Sequence, residues 1–176
     1  HMDYVGLKLY GSDGAQRGEL RIVGLFTSNA YTDRPEKIPF LRQRVEAVLR
    51  RTGHAPGSHD GKALLNVLEN FPRDELFRIG IEQLLEWSRG ILDLELRPRV
   101  RVFARRDRFD RFVSVFVYVP RDRFTSLLRE QTGQLLSREM GGHVSAYTPF
   151  FPEGNLVRVH YIIGRGGAAA RPDLDV

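Results

Sequence analysis

Hydrophobic residues recur in twos near the start of the chain, at helical spacing through its middle, and in twos again beyond residue 100. Tyr4 to Tyr10 and Glu19 to Thr27 alternate as strands do. The Gly11-Ser12-Asp13-Gly14 turn between them has glycines that accept positive φ, so the stretch predicts a hairpin. Pro39 sits where a first helical turn tolerates it, and Phe40, Leu41, Val45, Val48 and Leu49 follow at helical spacing until Gly53 ends the run. Ser58 is placed to cap a second helix with the apolar face Leu64, Leu65, Val67 and Leu68. Pro72 opens a short third helix with Asp74 and Glu75 at its positive end. Ile81 to Leu96 supplies a fourth, with Leu84, Leu85, Trp87, Ile91 and Leu92 at helical spacing and Pro98 beyond it.

The period then returns to two. Val100 to Arg105 and Arg111 to Val119 predict a second hairpin around residues 106–110. Asp122 to Met140 predicts a helix stopped by Gly141-Gly142, and His143 to Thr148 and Leu156 to Ile163 a last pair of strands. The order β-β, helices, β-β, helix, β-β gives an α+β domain over residues 3–163, an antiparallel sheet with helices on one face. One domain is expected, with 3–97 and 98–163 as the alternative division into two sub-units of structure. Residues 164–176 read as a linker or disordered tail, and His1-Met2 as the remnant of a cleaved tag.

Of the 176 residues 41% are hydrophobic, enough for a real core, and no apolar run is long enough to span a bilayer. No secretory signal opens the chain, which predicts a cytoplasmic location. The absence of cysteine removes disulfides, thiolate metal sites and a cysteine nucleophile. A net charge of +5 permits anionic partners without demanding them. The cations are nearly all arginine, with lysine at Lys8, Lys37 and Lys62, a bias that suits carboxylate and phosphate recognition but that arginine-rich coding also produces.

Three constellations carry candidate chemistry. Ser58, His59, Asp60 and Lys62 gather a hydroxyl, an imidazole, a carboxylate and an ammonium at a helix start, where free amides attract anions. The plainer reading is a helix cap. Neighbours so close in sequence seldom reach the geometry of a nucleophile and its base. Pro72-Arg73-Asp74 and Pro120-Arg121-Asp122 share a helix-opening signal, with Arg73 as a candidate contact.

The third is a sheet face. Val113, Val115, Val117 and Val119 point one way, joined by Val100, Val102 and Ala104, while Phe112, Ser114, Phe116 and Tyr118 point the other with Arg99, Arg101, Phe103 and Arg105. Arg158 and His160 of the last strand are candidates to join the aromatic side. With helices on the valines, that side becomes a basic and aromatic platform. Such a platform suits contact with another domain or subunit, a small molecule, or stacked RNA bases. RFVSVFVY lacks the glycine of the RNA-recognition signature, which places nucleic acid last. Gly164-Arg165-Gly166-Gly167-Ala168-Ala169 imitates a dinucleotide fingerprint, but Pro172 interrupts the helix that the motif needs. His54, His59, His143 and His160 lack metal-site spacing, so no metal is expected.

The run from Gly24 to Phe77, GLFTSNAYTDRPEKIPFLRQRVEAVLRRTGHAPGSHDGKALLNVLENFPRDELF, resembles the corresponding segment of the large bacterial NAD-dependent glutamate dehydrogenases. In these a strand ending in a GLFTS-like sequence is followed by AY, IP-x-L-R, SHDGKALLN and PRDELF elements. RVRVFARRDRFDRFVSVFVYVPRDRF, from Arg99 to Phe124, resembles the same family. The resemblance implies an ACT-like, ferredoxin-like regulatory or assembly segment lying before a catalytic domain. The extra helices and first hairpin depart from the simplest ACT form, βαββαβ. It implies a parent that oxidatively deaminates L-glutamate to 2-oxoglutarate and ammonia and passes hydride to NAD, with catalytic and cofactor residues outside this segment. The implied partners are other domains and subunits of a homo-oligomeric parent and an amino-acid effector.

Overall fold

A computed structural model describes residues 3–55 and 57–166. His1-Met2 and residues 167–176, the latter with half of the dinucleotide-like glycine run, lie outside the described residues. The chain forms two compact units, residues 1–46 and 47–176.

In the first unit β1 (Asp3–Tyr10) and β2 (Gln16–Gly24) pair antiparallel. Gly14, at φ 76°, makes the reversal, and the Asp13 carboxylate accepts from the Ala15 amide at 3.1 Å. Register sets Val5 opposite Ile22 and Leu7 opposite Leu20. Directly paired residues share a face, so these four and Leu9 form one apolar surface, backed by Tyr4, Lys8, Glu19 and Arg21 on the other. β2 ends three residues before the expected Thr27, and a single turn α1 (Asn29–Thr32) and a 3₁₀ turn (Pro35–Lys37) follow. α2 (Pro39–Thr52) begins in this unit and ends in the second; Leu41, Val45 and Val48 are its buried stripe.

The second unit is built on a four-stranded sheet of order β3-β4-β6-β5, antiparallel throughout: β3 (Arg101–Arg106), β4 (Phe112–Pro120), β5 (His143–Phe150) and β6 (Leu156–Gly164). The β1-β2 and β3-β4 hairpins therefore belong to separate sheets. α6 (Ser126–Glu139) starts later than the sequence predicts. Thr125 caps it, its hydroxyl accepting from the Leu128 amide at 3.0 Å, while residues 121–123 form a 3₁₀ turn. α6 packs on the valine face, where Val113, Val115, Val117, Val119, Val157, Val159, Tyr161 and Ile163 make one buried cluster with Leu136.

α3 (His59–Glu69), α4 (Arg73–Arg78) and α5 (Ile81–Leu96) precede the sheet in sequence. Leu64, Val67 and Leu68 of α3 and Leu84, Trp87, Ile91 and Leu94 of α5 are buried at helical spacing. The α+β class and antiparallel sheet stand. One expectation changes, because the aromatic face of the sheet is covered as well, so helices lie on both faces. Every residue from Val113 to Val119 is buried. A strand enclosed on both sides reads as a nearly unbroken apolar run, which is what FVSVFVYV is.

Candidate functional site

Register arranges the aromatic face in rows across the four strands. Arg101, Tyr118, Arg158 and Phe150 form one row, and Phe103, Phe116, His160 and Thr148 the next; Arg105 and Ser114 follow with Ile162. Trp87 of α5 stands edge-on to Phe116 at 5.0 Å between ring centroids and lies 5.5 Å from Phe103, while Phe71, after α3, reaches Phe116 at 5.1 Å. Such tilted and edge-to-face pairs add to the stabilisation from area burial. Gly90 lets α5 come this close: a Cβ there would meet the Phe103 ring at 2.8 Å and the Arg101 guanidinium at 3.0 Å.

This contact encloses two polar pairs. Glu75 of α4 is 1% exposed, and its carboxylate accepts from both Nε and Nη2 of Arg105, the latter at 3.2 Å. A bidentate fork of this kind fixes orientation as well as distance. Ser114 Oγ lies 2.8 Å from His160 Nε2, so the buried serine hydroxyl of β4 is satisfied. Burial pushes the His160 imidazole down to about 4, with Glu75 opposing and Arg158, Arg105 and Arg78 reinforcing the shift. The ring is therefore neutral near pH 7.

The sequence-predicted candidates separate into two groups. Ser58 is a helix cap: its hydroxyl accepts from the Gly61 amide at 3.0 Å and donates to the Ala55 carbonyl at 2.7 Å. Gly61 is needed there, since a Cβ would sit 2.1 Å from that carbonyl oxygen. The His59 side chain is 99% exposed, 3.7 Å from the Asp60 carboxylate, and Lys62 is exposed, so no nucleophile-base geometry forms. Arg73 is half-buried at the start of α4, and burial lowers its pKa. The second group, Arg101, Phe103, Arg105, Phe112, Phe116 and Tyr118, lies on or beside the covered face, with Phe103, Phe116 and Tyr118 buried. The platform for stacked bases is thus interior, occupied by α3 to α5 of the same chain, and the nucleic-acid alternative loses its surface. Sequence reasoning missed Glu75 and Trp87 as the groups that occupy it. Among the described residues no group of three or more His, Asp or Glu is placed to hold a metal. No described helix is long and apolar enough to cross a membrane.

Two family models match. Residues 38–97 match "Glutamate dehydrogenase, helical motif 1" and residues 101–176 match "Glutamate dehydrogenase, ACT2 domain". The chain belongs to the NAD-specific glutamate dehydrogenase family. Among curated relatives, the NAD-specific glutamate dehydrogenase of Halomonas elongata is 39% identical over 165 residues, covering 94% of this chain and 10% of that protein. The corresponding proteins of Pseudomonas aeruginosa and Mycobacterium tuberculosis are each 36% identical, over 98% and 90% of this chain and 11% and 10% of their own lengths. The chain thus spans about a tenth of the curated relatives it matches. In this segment of a glutamate dehydrogenase, the seam between the family's helical motif and its ACT2 domain is the contact just described, Glu75 and Trp87 on one side and Arg105, Phe103 and Phe116 on the other.

Proposed function

We propose that this chain is a noncatalytic assembly and regulatory segment of a large, cytoplasmic, homo-oligomeric NAD-dependent glutamate dehydrogenase, whose whole chain converts L-glutamate, NAD and water to 2-oxoglutarate, ammonia and NADH. NAD belongs to the parent's catalytic region and not to this segment. The names of the relatives support the parent's activity. The observation that carries the assembly role is the hairpin. Val5, Leu7, Leu9, Leu20 and Ile22 share one face and are each 36–53% exposed. A two-stranded hairpin is marginal in water by itself, and a contiguous apolar face marks a surface made to be covered. Its occupant in this reading is another domain or subunit of the parent, which supplies most of the length of the relatives.

The test places Leu7→Lys and Leu20→Lys together in the full-length parent. Glutamate-dependent NADH formation and mass by light scattering are then recorded. The assembly role predicts a smaller particle with reduced turnover; wild-type mass and turnover in the double variant would refute it. The regulatory role is separable. It requires an effector that changes turnover through different affinities for two states of the enzyme. A panel of free amino acids and nucleotides that leaves the parent's turnover unchanged removes it while leaving assembly intact.

A further inference from the structure

The sheet of the second unit ends at β5, whose outer side has no neighbouring strand among the described residues. Which of its backbone groups face outwards follows from the ladder beside it. Arg165 donates its amide to the Arg111 carbonyl at 3.0 Å and Arg121 donates to the Asn155 carbonyl at 2.8 Å. These bonds continue the β4-β6 register, so the odd-numbered residues of β6 bond to β4 and the even-numbered ones to β5. Ala146, Thr148 and Phe150, opposite Ile162, His160 and Arg158, are therefore bonded inwards. Val144, Tyr147 and Pro149 turn their backbone groups away from β6. Pro149 agrees with this assignment, because a proline in an outer strand keeps its missing N–H on the open side. Val144 and Tyr147 each keep an outward N–H and C=O, and Pro149 an outward C=O alone. On the α6 side of this edge a cleft of about 540 Å³ lies between helix and strand, with Glu130, Gln134 and Arg138 on one wall and Val144 and Tyr147 on the other. Tyr147 is 47% exposed, and the Arg129 guanidinium lies 4.2 Å from the centre of its ring. Among the described residues Arg129 forms no ion pair.

We propose that this edge takes an added strand: an extended acidic segment of the parent, from outside these 176 residues, pairs with Val144 and Tyr147 and lays alternate side chains into the cleft beside α6. Main-chain bonds to the open edge hold such a segment. The period of two sends every second side chain to the face where Tyr147 and α6 stand. Arg129, Arg138 and His143 line the cleft against a single carboxylate, Glu130, so the field there favours Asp or Glu. The same charges oppose a second copy of this chain. Pairing β5 with its own image would bring Arg129, Arg138 and His143 of both copies together, a juxtaposition of like groups that disfavours the pairing. So short an edge binds weakly, which suits a tethered segment, because linkage raises the effective concentration at the site without any new contact. The curated relatives, of which this chain spans about a tenth, have ample length to supply it. The proposal rests on the larger parent of the reading above but not on the hairpin contact.

The test measures amide exchange across β5, by mass spectrometry with residue-level fragmentation, in the 176-residue chain and in the full-length enzyme. In the isolated chain the Val144 and Tyr147 amides should exchange rapidly, while Ala146 and Thr148, bonded to β6, exchange slowly. In the full-length enzyme Tyr147 should slow by about tenfold or more, and Arg129→Glu with Arg138→Glu should return it towards the isolated-chain rate. Slow exchange retained at Ala146 and Thr148 shows that the sheet of the variant is intact. Should the double variant lose it, Arg138→Glu alone, at an exposed position, carries the comparison. Equal and rapid exchange of Tyr147 in both proteins overturns the added strand. Protection that survives the charge reversal overturns the acidic occupant. A dimer of the isolated chain in light scattering, with Tyr147 already protected, would give the edge to a second copy and overturn the proposal as well. Protection of residues 3–24 in the full-length enzyme without protection of Tyr147 would remove the added strand and leave the assembly reading standing.

Discussion

Glu75 and Arg105, thirty residues apart, meet as a bidentate ion pair sealed between a short helix and an edge strand. The pair crosses the seam between the helical motif and the ACT2 domain. Removing one partner strands the other charge away from water. Glu75→Gln should therefore destabilise the chain by about 3–5 kcal/mol in urea unfolding. Glu75→Leu with Arg105→Leu should recover most of that loss, because no uncompensated charge remains. A double variant as unstable as the sum of the two single changes would contradict the coupling.

His160 should make stability depend on pH. Its folded-state pKa, about 4, lies below the ordinary value of 6.5 because the ring is buried against Phe116 and Ser114. The unfolded chain then binds more protons between these values, so stability is complete above about pH 6.5 and falls as pH drops towards 4. Between pH 7 and pH 5 the loss should be on the order of 2 kcal/mol. Glu75, Arg158, Arg105 and Arg78 face the same ring, so the comparison to make is with His160→Gln, whose unfolding free energy should vary less over that window.

Gly90→Ala separates helix propensity from packing. Alanine gains about 1 kcal/mol in a helix interior. The new methyl group, however, lands 2.8 Å from the Phe103 ring. Overpacking of this kind costs about 1–3 kcal/mol, so the variant should melt at a lower temperature than wild type. A higher melting temperature would mean that α5 and β3 are not held as tightly as the distance implies.

At the start of α3, Ser58→Ala should cost about 1 kcal/mol by loss of the cap, whereas His59→Ala should stay within about 0.5 kcal/mol. Equal losses at the two positions would mean that the imidazole has a role its solvent exposure does not suggest.

Local signals in the sequence located most elements because their causes are local. Ser58, Pro39, Gly53 and the Ile81–Leu96 periodicity each act within a turn or two of chain, and α2, α3 and α5 lie close to where these residues place them. The cover on the aromatic face was not legible in the same way. Alternation divides Val115 from Phe116 but does not say what lies over either, and a Phe, Ser, Phe, Tyr side reads equally as surface or seam. The unbroken apolar run of β4 was the available clue. Glu75 gave none, because a carboxylate in the first turn of a helix already has a local explanation in the helix dipole. Its partner is fixed by tertiary packing thirty residues away.

The most direct test of the assembly role is hydrogen exchange at the hairpin amides of residues 3–24, compared between the 176-residue chain and the full-length enzyme. An apolar face covered in the parent predicts rapid exchange in the isolated chain and at least tenfold slower exchange in the full-length enzyme. Equal and rapid exchange in both would mean that nothing covers the hairpin, and the account of this segment as an assembly element would be wrong.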